Sequence, residues 1–544
     1  VQFFARRSPP AESVRARKIS PCNDAVPRPA ARALALAVAL TIAAPPTLAP
    51  ARAQSIELPT LGEAAADDLS PANERKLGEA IMREVRRDPA YLADPDATEY
   101  LNNLGYQLVA ASPARHMDFS FFAVRDPMLN AFALPGGFIG VHTGLVLAAQ
   151  GESELASVLA HEIGHVEQRH IARMLAKQRE SSAIAIGALL LALLAARSNS
   201  LSSGDLTQAA ILGGQAAALQ QQLNFSREAE READRVGFQT LEAAGFDVRA
   251  MATFFGRMQQ GSRIYESAAP AYLRTHPLTT ERMGDIQNRI REARVRQRAD
   301  SLDFHLIRAR LRVLQDDTTQ GARDAQAHFA AQLRNRSAAS ETAAHYGLAL
   351  ASLRIGQTQT AYEAALAARQ STRLASPMLD KLVAETRFAA ATTPAEREEG
   401  LRLAREATQR FPLSRLTALS YVELLQRAGQ HEAAVEYLRQ QLAIPRSEPQ
   451  YFASLARSYA ALNRRTLQHQ ATAEMYALLG AVPSAVDQLQ LARKAGDADF
   501  YVLSEVDARL RELSQQLKEQ REELARQGRR SEEPRKRAAP FSVP

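Results

Sequence analysis

Within the stretch His161-Glu162-Ile163-Gly164-His165, two histidines and a glutamate stand in the order H-E-x-x-H. Residues four apart lie on one face of a helix, so His161 and His165 can each offer an imidazole nitrogen to the same ion. Glu162 is then beside them, placed to take a proton from water at that ion. Two neutral nitrogen ligands and a base on one rod are the working parts of zinc-dependent hydrolysis. An ordinary amphipathic helix with two histidines would give the same letters, so the downstream sequence decides.

Zinc in a hydrolase has a third protein ligand and keeps one position for water. A histidine six residues after His165, behind a glycine at the third, is excluded because Ile171 and Gln168 stand there. A glutamate nineteen residues after His165 is excluded because that position is Ile184. The acids Glu228, Glu230, Glu232 and Asp234 remain, on a helix read from a capping Ser226 to Ala244 and closed by Gly245. At about 100° per residue, Glu230, Asp234, Gly237 and Leu241 share an arc of roughly 60°. Glu228, Glu232, Arg235 and Gln239 point the opposite way, as solvated residues do. A surface charge run is the ordinary meaning of such a cluster, but two acids on the apolar, inward side need a partner there. Glu230 is therefore expected as third ligand, with Asp234 orienting a ligand histidine from behind.

The helix that carries the histidines is read from Glu152 to Arg173 and onward to about Glu180. Leu155, Val158, Leu159, Ile163 and Val166 form its apolar stripe, and no proline interrupts it before Arg173. Ahead of it lie helices over Pro71–Asp88 and Ala97–Ala110 and a strand over Phe119–Val124. Asn130–Leu134, Pro135-Gly136-Gly137 and Phe138–Val141 then read as strand, tight turn, strand. A strand just before such a helix suits pairing with a substrate backbone, which makes Asn130, Ala131, Phe132 and Ala133 a candidate substrate edge. A plain core hairpin fits equally well. Ala183 to Ala196 is an unbroken run of apolar residues and glycine, shorter than the roughly 20 residues needed to span a bilayer. With the Ala/Leu/Gln-rich helix that follows to Leu223, it reads as a buried hairpin or a peripheral membrane contact.

The chain of 544 residues has a formal charge of +7. Residues 1–53 hold eight Arg and Lys against Glu12 and Asp24, so they account for +6 of it and the remainder is near +1. The basic balance is thus a property of the leader, and no nucleic-acid partner is expected. Arg28 and Arg32 before the apolar run Ala33–Ala44, with Ala51-Arg52-Ala53 as a cleavage site, read as an exported signal peptide. The single cysteine, Cys22, lies inside it, so the cleaved chain would have neither disulfide nor thiolate metal site.

The expected architecture is mainly α. Residues 54–70 form a linker and 71–297 an α+β zinc metalloprotease domain with a small β-hairpin or sheet. A helical, tetratricopeptide-like (TPR-like) solenoid follows over 302–513, and residues 514–544 are a charged helix end with a disordered tail from Arg529. The solenoid rests on near-continuous helical periodicity and on Gly356 and Ala361 returning as Gly429 and Ala434, 73 residues on. Gly480 and Ala485 echo the pair off period. Stacked repeats of this kind present a concave surface to other proteins.

Three segments together, His161–His170, Ser226–Gly237 and Thr275–Arg282, resemble the HtpX/CAAX-prenyl-protease family of zinc metallopeptidases. A signal peptide in front and repeats behind make the chain most similar to its periplasmic BepA branch. The resemblance implies Glu230 as third ligand, Asp234 behind the ligands, one Zn2+ per chain, and His276 and Arg282 near the ion, with His276 as a self-inhibitory switch. It further implies a periplasmic endopeptidase in outer-membrane protein quality control. Its substrates would be misfolded or stalled outer-membrane proteins, and its partner the β-barrel assembly machinery. Two rivals are a chaperone or assembly adaptor with latent proteolysis, and a membrane-embedded metalloprotease.

Overall fold

The computed structural model describes residues 70–177, 227–264, 271–294, 296–443 and 448–537. Ser70 and Asp94 open the first helices, α1 (Pro71–Val85) and α2 (Pro95–Ala111), each by accepting a backbone N–H one turn ahead and each followed by proline at the first helical position. Between and after them come β1 (Tyr91–Leu92), β2 (Ser120–Val124), β3 (Ala131–Leu134) and β4 (Phe138–His142). The sheet order is β1-β2-β4-β3, with β2 and β4 parallel and β3 antiparallel to β4. The expected hairpin is therefore present, and its first strand, β3, lies at the sheet edge.

A short α3 (Thr143–Ala148) leads into α4 (Glu152–Glu167), which bears the H-E-x-x-H residues. The stripe read from the sequence understates its burial: every residue from Ser153 to Val166 is buried, and α4 packs against α2, β3, α6 (Arg227–Ala243) and α7 (Arg249–Ile264). Leu155, Val158, Leu159 and Ile163 are fully enclosed, each worth about 1.5–3 kcal/mol of transfer free energy. A helix buried on all sides is a rigid mount for polar groups.

The uninterrupted helix to Glu180 does not form. α4 stops at Glu167, Arg169 takes a left-handed conformation (φ 49°), and a separate α5 begins at His170 and runs to Lys177. That conformation costs an arginine about 1–2 kcal/mol and has no local signature in the sequence. It is tied down from afar, since Arg169 Nε donates to Glu74 Oε2 at 3.1 Å.

After α7, the short α8 (Ala271–Thr275) and α9 (Thr280–Glu292) complete this half. The helical half begins with α10 (Leu302–Leu314), α11 (Thr319–Arg334), α12 (Glu341–Arg354) and α13 (Thr358–Gln370). It continues with α14 (Pro377–Ala390), α15 (Pro394–Arg410), α16 (Arg415–Arg427) and α17 (His431–Leu442), then α18 (Pro449–Ala461), α19 (Arg465–Leu478), α20 (Val482–Lys494) and α21 (Phe500–Arg537). Consecutive helices pack on one another, as a helical-repeat solenoid requires.

Gly356, Gly429 and Gly480 all sit at helix-to-helix turns with φ between 74° and 79°, a conformation glycine adopts without strain. Ala361, Ala434 and Ala485, five residues on, are completely buried. The off-period pair is thus structurally equivalent to the other two. Asn463 (φ 56°) makes the same turn between α18 and α19, which hides that repeat from a search for glycine.

The boundary at 297/302 is not a flexible joint. One hydrophobic cluster runs from Leu155 and Phe246 through Phe304 and Ile307 to Leu379 and Val383. Charged groups reinforce it. Asp94 takes Arg310 Nε and Nη2 at 2.8 and 2.6 Å, and Asp96 takes Lys381 Nζ at 2.5 Å. Ser414 Oγ and the Arg415 amide donate to Glu99 at 3.0 and 3.1 Å. The start of α2 is thereby bound to α10, α14 and α16.

α21 stays helical to Arg537, past the Arg529 where the charge pattern sets a disordered tail. Arg, Glu, Gln and Lys are good helix formers, so a high charge content does not end a helix by itself. Among the described residues no helix is long and apolar enough to cross a membrane. The leader, the 54–69 linker, Ser226 and the apolar run 183–196 lie outside the described residues.

Candidate active site

α4 and α6 can approach closely because small residues line the crossing. A Cβ on Gly237 would stand 3.0 Å from the Ala160 backbone and from His161 Cα, and one on Gly164 would stand 2.9 Å from the Ala233 carbonyl oxygen. The approach sets Glu230 and Asp234 of α6 against the histidines of α4. Both acids are buried, while Glu228, Arg235 and Gln239 are exposed, so the inward arc read from periodicity is the one observed. Glu232 departs from it: half-buried, it pairs with His170 Nε2 at 3.2 Å and Arg173 Nη2 at 2.6 Å.

His161, His165, Glu230 and His276 each present one donor atom, and all four atoms lie within 4.8 Å of one another. His161 Nε2 is 3.0 Å from His165 Nε2 and 3.5 Å from Glu230 Oε2, and His165 Nε2 is 3.3 Å from Glu230 Oε1. Imidazole nitrogens crowded this way in a dry site, beside a carboxylate, suit a divalent cation of borderline softness. Next to them Glu162 is fully buried, and neither of its carboxylate oxygens has a hydrogen-bond partner among the described residues. A buried carboxylate without donors calls for a nearby positive charge. The residues present therefore fit a bound metal ion.

Behind the donors lies a clamp. His161 Nδ1 is 2.9 Å from Asp234 Oδ1, and Asp234 is gripped by Arg282 Nε and Nη2 at 2.6 and 2.8 Å. Arg282 Nη1 also reaches Glu230 Oε2 at 2.7 Å and the Pro277 carbonyl at 2.8 Å. Burial works against the charge on Glu230, but His276, His161 and His165 outweigh it and hold the carboxyl well below its ordinary range. Burial likewise opposes charge on Asp234, and Arg282 and His161 prevail. Burial would discharge His161, yet Asp234 and Glu230 push it up to about 9. For His165 burial dominates, keeping it well below the usual histidine value and its ring neutral.

His276, which the resemblance sets near the ion, follows directly on α8 and is buried, with Nδ1 2.9 Å from Glu230 Oε1 and Nε2 3.7 Å from Glu162 Oε1. The candidate edge strand is brought close as well, since β3 packs on α4. Asn130 precedes β3 and accepts the His142 amide at 3.0 Å, and Ala131, Phe132 and Ala133 lie in the strand. One residue earlier, the Leu129 carbonyl accepts the Tyr272 amide at 3.2 Å, so α8 rests against the entrance to this edge.

Two residues of the site escaped the sequence reading. Tyr272 is fully buried, stacks on His276 with ring centres 4.6 Å apart, and has a hydroxyl without a partner among the described residues. Burial, then Glu162 and Glu230, raise its pKa well above the ordinary phenol value, so it stays protonated. The i, i+4 spacing to His276 was the available clue. His170 is the other. Its distance of five residues from His165 would put it about 140° away on an unbroken helix, so spacing concealed it.

Residues 95–290 match the model of peptidase family M48. The chain is 31% identical over 479 residues to the beta-barrel assembly-enhancing protease of Escherichia coli (strain K12), covering 86% of this chain and 93% of that protein. It is 44% identical over 272 residues to the putative beta-barrel assembly-enhancing protease of Vibrio cholerae serotype O1, covering 50% of this chain and 55% of that one. To the mitochondrial metalloendopeptidase OMA1 of Schizosaccharomyces pombe it is 32% identical over 237 residues, 42% of this chain and 65% of that one. With the family match lying over the residues that build the site, and one relative aligned along nearly its whole length, the chain belongs to peptidase family M48 and is a metallopeptidase.

Proposed function

We infer that the chain is a zinc endopeptidase of the periplasm that acts on misfolded or stalled outer-membrane proteins and works alongside the β-barrel assembly machinery. The observation that supports this most is the convergence of four buried donor atoms beside a buried Glu162 carboxylate that accepts no hydrogen bond among the described residues. His161, His165 and Glu230 would hold the ion. When bound, it supplies Lewis-acid polarisation of the scissile carbonyl and a lowered pKa for water. Glu162 accepts the proton of the attacking water and returns it to the leaving amine. Asp234, held on both oxygens by Arg282, keeps His161 in one tautomer and orientation. The substrate backbone pairs with β3 through Ala131–Ala133, which presents the scissile bond to α4. The relatives named for β-barrel assembly support the choice of substrate class and partner.

His276 acts as a restraint in this scheme. It contributes a fourth donor to the group and stands between Glu230 and Glu162, in the space a substrate carbonyl needs. Because Glu162 is fully buried, the site must open before a peptide can enter. The same closure favours a second reading, a chaperone or assembly adaptor whose proteolysis is latent. One experiment separates them. Glu162→Gln should keep metal content and thermal midpoint, abolish cleavage of an unfolded protein, and fail to complement where the wild type does. Complementation by a variant shown to be inactive would favour the chaperone, and cleavage at the wild-type rate would remove Glu162 from the reaction.

A further inference from the structure

His165 has two ring nitrogens with different surroundings. Nε2 faces His161 and Glu230, on the donor side of the site. Nδ1 points away from it and lies 2.9 Å from Nδ1 of His170. His170 is 3% exposed, and its own Nε2 is 3.2 Å from Glu232 Oε2, which Arg173 Nη2 holds at 2.6 Å.

A hydrogen bond between two imidazoles needs one N–H and one lone pair. A neutral histidine that offers Nε2 to a cation carries its proton on Nδ1. Nδ1 of His170 must then be the acceptor, which places the His170 proton on Nε2, facing the Glu232 carboxylate. Only this assignment satisfies every contact in the row at once. The row also explains the left-handed Arg169. Only the break between α4 and α5 turns His170 back to the face that His165 occupies, so the backbone conformation at Arg169 serves this contact.

We propose that His170 is a positioning residue of the metal centre, accepting the Nδ1 proton of His165 and donating its own to Glu232, so that tautomer and ring plane of His165 are fixed from the surface inward. The two ligand histidines are therefore held by unlike groups. His161 faces a carboxylate clamped by Arg282, whereas His165 faces a neutral imidazole backed by an ion pair. Removal of a group that supports a ligand typically weakens metal binding by about 10–100-fold. The inference rests on the reading that His165 is a ligand.

The test uses the full chain stripped of metal and titrated with cobalt(II) against a competing chelator, reading the visible d–d spectrum as well as affinity. His170→Phe keeps the ring volume and removes the acceptor. His170→Asn restores an acceptor oxygen close to the position of Nδ1. His170→Phe should bind cobalt about 10–100-fold more weakly with an altered spectrum, and His170→Asn should recover most of both. Glu232→Ala, at a half-buried site, should weaken binding in the same direction by less, and its affinity decides the question if His170→Phe does not fold. Wild-type affinity and spectrum in His170→Phe would overturn the proposal, as would an Asn variant no better than Phe, since packing alone would then explain His170. Loss of cobalt binding in the wild type itself would instead sink the metal reading beneath it.

Discussion

Replacing Gly237 by alanine sets two effects of opposite sign against each other. In a helix interior alanine is favoured over glycine by about 1 kcal/mol, so local propensity alone predicts stabilisation. At this position, however, the new methyl would lie 3.0 Å from the Ala160 carbonyl group and His161 Cα. Those are backbone atoms of a fully buried helix, which cannot swing aside as a side-chain tip would, so α6 must back away from α4 by a few tenths of an ångström. Overpacking of this kind costs about 1–3 kcal/mol. The expected net effect is destabilisation by about 1 kcal/mol, with metal affinity lowered because Glu230 rides on the displaced helix. Gly256 of α7 and Gly284 of α9 provide internal controls, because nothing lies within 4 Å of a Cβ built on either. Gly256→Ala and Gly284→Ala should each stabilise by about 0.5–1 kcal/mol. Urea unfolding of the metal-free proteins, followed by chelator competition for the metal, measures both quantities. If Gly237→Ala were as stabilising as the controls and kept its metal, close helix approach would not be what sets Glu230 in place.

Three further outcomes are expected. Arg310→Met leaves Asp94 buried without its bidentate partner and should cost about 3–5 kcal/mol, read by denaturant unfolding. Burial raises the Asp94 pKa, but Arg310 and Lys381 outweigh it and hold it below its ordinary value. Stability from this group is therefore complete above the unfolded carboxylate pKa and lost as pH falls below about 4, and Arg310→Met should flatten that loss. His276→Ala should raise cleavage of an unfolded protein at equal metal content; equal turnover would deny it a restraining role, and lower turnover would put it in the reaction. Tyr272→Phe keeps the stack on His276 and removes a buried hydroxyl that has no partner among the described residues, so the metal-free thermal midpoint should rise by the equivalent of about 1 kcal/mol. A lower midpoint would mean that the hydroxyl is satisfied.

The grouping of His161 with His165, and of Glu230 with Asp234, followed from the sequence alone because it depends on a local period. A helix repeats every 3.6 residues whatever surrounds it, so residue spacing decides which side chains share a face. The hairpin and its turn were legible for the same reason, and so were the glycines that turn one repeat helix into the next. What needed the tertiary structure lies at contacts between residues far apart in the chain. Arg282 meets Asp234 across 48 residues, Arg169 meets Glu74 across 95, and Arg310 meets Asp94 across 216. No local pattern encodes such pairs, because the free energy that selects them arises only when separate elements are packed together. The break at Arg169 shows the consequence: an arginine with positive φ has no preference of its own for that state, and the distant Glu74 and the contacts of His170 hold it there. His170 thereby joined the site through folding, where spacing along the chain could not place it.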